Sequence, residues 1–152
     1  MVHPRGALRP IPAEVPDPYA ADYREAVEVA PISPKASAAL SRRNLQALLR
    51  DVAKVKKSDL SKEIIEFAGR PSTPSQLGEV VDAVRNVGNL AAHPAKDSAT
   101  GMLVDVEPDE ADWLLDVLDG MFDYLFVQPA RNQARKAALN VKLNNAGKPQ
   151  MK

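Results

Sequence analysis

The chain has 152 residues, and its 20 lysines and arginines balance 20 aspartates and glutamates, so no net field draws it to nucleic acid or an anionic membrane. It contains no cysteine, which excludes disulfides, thiolate nucleophiles and cysteine-ligated zinc together. No apolar run approaches the roughly 18 residues of a membrane span, and no apolar signal core follows Met1-Val2-His3-Pro4-Arg5, which points to a cytoplasmic protein with no membrane partner.

Residues 1–17 carry prolines at positions 4, 10, 12 and 16. Proline lacks an amide donor and fixes φ, so this stretch reads as an extended, disordered leader. Asp17-Pro18 reads as an N-cap followed by proline at the first helical position, opening a short helix to about Val29. Ser33-Pro34 repeats that signal. The helix behind it, to about Ala53, is the clearest in the chain, because Ala38, Ser41, Leu45, Leu48, Leu49 and Val52 fall within one narrow arc. Ser58 or Asp59 caps a third helix carrying Leu60, Ile64, Ile65 and Phe67, closed by Gly69 and Pro71.

Thr73-Pro74 opens a fourth helix with Leu77, Val80, Val81, Val84, Gly88 and Ala91 as its apolar stripe. Gly88 within that stripe costs about 1 kcal/mol of helix propensity against alanine, which suggests close approach of another backbone. Residues 94–106 read as a loop, with a short extended piece at 102–106. Pro108 opens a fifth helix to about Phe126. Its Ala111, Leu114, Leu115, Leu118, Phe122 and Leu125 form a core stripe. Trp113, Val117 and Tyr124 lie on the far side, to be covered by the last helix or by a second subunit. A basic helix from Pro129 to Asn144 and a polar tail complete the chain.

The charge is unevenly placed. Asp105–Asp123 holds eight acids and no base, while Gln128 to the end holds six bases and no acid. Such segregation reads as intramolecular pairing of the acidic segment with the basic helix. The aspartates at 112, 116, 119 and 123 have a spacing that could bind magnesium, but hard-cation sites draw ligands from more than one element, so no metal is expected.

Within V-R-N-V-G-N-L-A-A-H (Val84–His93), Arg85, Asn89 and His93 are spaced i, i+4, i+8 and share one helical ridge. A guanidinium, an amide and an imidazole there could bind a phosphodiester and move a proton. They could equally form a polar lock between helices, with His93 bonded to a carbonyl or acid and Arg85 ion-paired to an aspartate. Arg42, Arg43 and Arg50 are candidate phosphate contacts for RNA or DNA. No aromatic residue is interleaved with them for base stacking, and a solvated helix face is the plainer account. No phosphate-binding glycine loop, nucleophile constellation or dinucleotide fingerprint is present, so no cofactor is expected.

Three pieces, D-Y-R-E-A (Asp22–Ala26), S-P-K-A-S-A-A-L-S-R-R-N-L-Q-A-L-L (Ser33–Leu49) and V-R-N-V-G-N-L-A-A-H, occur in this order. Together they resemble a prokaryotic domain of unknown function, found alone or joined to type I restriction endonuclease subunits, which looks like a member of the HEPN superfamily of defence and toxin–antitoxin systems. The resemblance covers roughly residues 18–126. It implies an all-α, compact bundle of five to six helices that forms homodimers, and a restriction or defence protein as partner.

For catalytic members it implies a metal-independent ribonuclease, with Arg85, its neighbour Asn86, and His93 as the counterparts of the family's arginine, polar residue and histidine. Seven residues separate Arg85 from His93 here, against four to six in catalytic members. The expected organisation is a disordered proline-rich leader at 1–17, a HEPN-like helical domain at 18–126, and a basic helix with polar tail at 127–152. The expected function is a non-catalytic accessory or interaction domain in a prokaryotic defence or restriction context. The alternatives are a dimeric ribonuclease using Arg85, Asn89 and His93, or a structural oligomerisation domain.

Overall fold

A computed structural model describes residues 9–92 and 107–151, with side chains assigned except over 87–92. The described residues are helical and contain no strand: α1 (Asp17–Val29), α2 (Pro34–Asp51), α3 (Leu60–Ala68), α4 (Ser75–Ala92), α5 (Pro108–Phe122) and α6 (Gln128–Asn145). Local chemistry accounts for the starts. Ser33 Oγ accepts the Ala36 amide at 3.1 Å and Asp59 Oδ1 accepts the Lys62 amide at 2.9 Å, each quenching a first-turn donor. At α1 the cap falls one residue earlier than the sequence suggests, on Pro16, which places Asp17 in the first turn where its charge suits the helix dipole.

α5 is the hub. It packs on α1, α2 and α4, while α1 lies along α2 and α3 along α4. The stripe expected on α2 is the core, with Ala38, Leu45, Leu48 and Leu49 all buried. The strip on the far side of α5 packs on the chain's own core, with Trp113 and Tyr124 partly buried against it. Val117 is buried within the bundle. Tyr124 sits edge-on to Phe67 of α3, at 6.1 Å between ring centroids, and donates to the Ser72 carbonyl at 3.1 Å. Two positions assigned to apolar stripes, Ile65 and Val80, point to solvent instead.

Residues 9–16, expected as a loose arm, lie against the bundle. Val15 is buried at 6% exposure and Ile11 packs on the same core. Arg9 reaches α5, donating to Asp119 Oδ2 at 3.0 Å, pairing with Asp116 Oδ1 at 3.0 Å, and donating to the Asp112 carbonyl at 3.2 Å.

Pro129 does not begin a separate helix. α5 runs into α6 through a π-helical segment, Asp123–Val127, closed by the Gln128 amide on the Asp123 carbonyl. Proline inside an α-helix loses its own amide bond and presses on the carbonyl four residues back; the wider π turn just before Pro129 accommodates both. Beyond this junction no residue of α6 is buried, and its packing is against the π segment from which it grows.

Candidate functional site

α4 is one α-helix from Ser75 to Ala92, continuous through Gly88, so Arg85 and Asn89 lie about one turn apart on the same rod. Its start is fixed from outside. The Thr73 hydroxyl donates to the Phe67 carbonyl at 2.7 Å, tying the α3–α4 turn shut. At Gly78 a Cβ would come within 3.3 Å of the Ala68 carbonyl oxygen, so the close approach between α3 and α4 occurs at Gly78. The surroundings of Gly88, the side chain of Asn89, and the whole of His93 lie outside the described residues, as do residues 94–106.

The Arg85 guanidinium is 35% exposed and turned sideways across the α3–α4 face. Its Nε donates to Ser61 Oγ at 3.1 Å, and Nη1 donates to Asp82 Oδ1 at 3.2 Å, one turn back on α4. Two of its donors are therefore spent within the domain, and the carboxylate neutralises part of the charge a phosphate would seek.

The three arginines of α2 occupy three different environments. Arg43 is exposed and 3.6 Å from Asp22 of α1. Arg42 is half-buried; its Nη1 has no partner, and burial pulls its pKa below the usual arginine value. Arg50 is committed to Glu63 on α3, whose side chain is 0% exposed. Glu63 accepts from Arg50 Nε at 2.5 Å, Gln46 Nε2 at 2.6 Å and the Ser58 amide at 3.2 Å, while Arg50 Nη2 donates to the Ser58 carbonyl at 2.8 Å. Burial pushes the Glu63 carboxyl up, but the hydrogen bonds from Arg50, Gln46 and Ser58 outweigh it and hold the group below the ordinary carboxylate range. The arrangement, three donors on one carboxylate, clamps α2 to α3.

A second polar cluster joins the leader, α1 and α5. Tyr23 is buried against Phe122 and donates to Asp119 Oδ1 at 2.6 Å, while Arg9 grips the other oxygen. Burial and the Asp119 charge push the Tyr23 hydroxyl well above the ordinary tyrosine range. Burial also raises Asp119, against the pull of Tyr23 and Arg9. Sequence reading missed both clusters. Glu63 offered a signal, since it shares the arc of Ile64 and Phe67 on α3; Arg9–Asp119 offered none, being 110 residues apart.

Within the acidic segment, two carboxylates expected to pair with the basic helix pair with the leader instead. Asp116 and Asp119 are taken by Arg9. Among the described residues no group of three or more histidines, aspartates or glutamates could hold a metal ion. None of the described helices is long and apolar enough to cross a membrane.

Comparison with curated proteins and with solved structures gives no match. A family model does match, over residues 24–142, from within α1 almost to the end of α6. The chain thus belongs to the family described as Domain of unknown function (DUF4145).

Proposed function

We propose that the chain is a HEPN-like interaction domain of a prokaryotic defence or restriction system, cytoplasmic and homodimeric, with no catalytic activity of its own. The observation that carries this reading is the engagement of Arg85. A phosphate clamp needs a guanidinium fork free to meet two oxygens, whereas Arg85 donates to Ser61 and Asp82 within its own domain. The seven residues between Arg85 and His93 add to it. In this reading the bundle presents surfaces to a protein or nucleic-acid partner, with Arg42 and Arg43 on its α2 side.

The second reading, a metal-independent ribonuclease using Arg85, Asn89 and His93, draws support from the continuity of α4 over Ser75–Ala92. Incubating the purified chain with structured and unstructured RNAs in EDTA, beside His93→Ala, separates the two. The interaction domain yields no cleavage from either protein. Cleavage by the wild type that His93→Ala abolishes makes the protein an enzyme.

A further inference from the structure

Among the described residues, α6 is the long element that the bundle does not use. Over its 18 residues nothing is buried, and its apolar side is built of alanines at 130, 134, 137 and 138, with Leu139 and Val141 left exposed. The alanines leave that side shallow, without a ridge of large side chains. The helix nevertheless holds its form. It inherits its first turn from the π segment, and it ends in a Schellman turn. There Gly147 adopts φ +70°, its amide meets the Asn144 carbonyl at 3.1 Å, and the Lys148 amide meets the Leu143 carbonyl at 2.8 Å. The tail then folds back, with the Met151 amide donating to Asn140 Oδ1 at 2.8 Å.

Four bases, Arg131, Arg135, Lys136 and Lys142, stand on this helix with no acid among its residues. None makes an ion pair or hydrogen bond with another side chain among the described residues. At 100° per residue Arg131, Arg135 and Lys142 fall on one side, and Lys136 about 120° round from them. Of the acids on the preceding segment, Asp116 and Asp119 are held by Arg9, and Asp123 accepts from Gln128 Nε2 at 2.7 Å. A net-neutral protein thus presents one rod roughly 27 Å long that carries unpaired positive charge on two flanks.

From this we propose that α6 binds the phosphate backbone of duplex DNA, lying along the major groove with its two basic flanks toward the two strands. The major groove of B-DNA admits an α-helix. The deep, narrow major groove of A-form RNA does not. α6 carries no aromatic residue on which single-stranded bases could stack. The inference is independent of whether Arg85 and His93 are catalytic.

The test is fluorescence anisotropy of a labelled 20-base-pair DNA duplex titrated with the full chain between 50 and 200 mM salt. Four backbone contacts predict an affinity loss of about 150-fold across that range. The combined variant Arg131→Ala, Arg135→Ala, Lys142→Ala leaves one contact and a loss of about 3-fold. A variant with the same charge change at exposed lysines of the bundle, Lys35→Ala, Lys56→Ala, Lys57→Ala, should keep the wild-type slope. Absence of binding at 50 mM salt overturns the proposal, as does an equal effect of the two variants. Tighter binding of duplex or single-stranded RNA overturns the groove assignment. Poly-L-glutamate competing as well as DNA at equal charge, or self-association that the α6 variant abolishes, would transfer the helix to an acidic protein or a second copy.

Discussion

Replacing Arg50 with alanine removes the shortest bond to a carboxylate that has no access to water. Glu63 is 0% exposed and keeps only Gln46 Nε2 at 2.6 Å and the Ser58 amide at 3.2 Å, while the Ser58 carbonyl loses its Arg50 donor. Breaking one side of a buried pair costs about 3–5 kcal/mol. Arg50 is itself 29% exposed, so part of its charge was already solvated and the lower end, about 3 kcal/mol, applies.

The loss carries a pH signature. In the wild type the folded Glu63 carboxyl sits below its ordinary range, so its stabilisation is complete above the unfolded glutamate value of about 4.3 and disappears as pH falls through the lower folded value. Without Arg50, burial dominates and the carboxyl rises, so the variant regains stability as the pH falls and the group takes up a proton. Urea unfolding followed by circular dichroism at pH 7 and pH 4 should show the gap between the two proteins narrowing at the lower pH. A gap under about 1 kcal/mol at pH 7, or one equal at both pH values, would refute the buried clamp.

Tyr23→Phe removes the hydroxyl that donates to Asp119 at 2.6 Å, and because Asp119 is partly solvated the expected cost is about 1–2 kcal/mol, read as a lower Tm in calorimetry. Leu48→Ala opens a void in the core beside α2 and should cost about 2–5 kcal/mol in urea unfolding. The combined Arg131, Arg135 and Lys142 alanine variant touches no packed group and should unfold within about 0.5 kcal/mol of the wild type.

Much of the helical layout is local and could be read from local signals. Ser33-Pro34 and Asp59 start helices because their side-chain oxygens meet first-turn amides. The stripe of Ala38, Leu45, Leu48 and Leu49 is buried because helical period places it on one face. What local signals do not carry is which element meets which. Pro129 has the same appearance at the start of a helix as inside a rod relieved by a π turn, and only the Gln128 amide on the Asp123 carbonyl distinguishes them. Val15 and Ile11, isolated among prolines, show no period, yet they join the core once Arg9 anchors the leader on α5.

The candidate site divides in the same way. That Arg85 and Asn89 share a rod follows from the sequence, since the repeat of α4 continues through Gly88. That Arg85 bonds to Ser61 depends on how α3 lies on α4, which the short contact at Gly78 fixes and no periodicity encodes. The opposite charges of α5 and α6 suggest mutual pairing, but α6 continues the line of α5 through the π segment, and Arg9 takes Asp116 and Asp119.

Both proposals rest on a division between a bundle that holds Arg85 and the Arg50–Glu63 pair within its own packing and a basic helix that the bundle leaves unused. Amide hydrogen exchange resolved by residue tests it directly. Amides of α2 and of α5 up to Phe122 should exchange only through global unfolding, while those of α6 from Asn132 onward should exchange orders of magnitude faster, through local fraying. Equal protection of α6 and α5 in the free chain would contradict the account, because it would mean that α6 is packed after all.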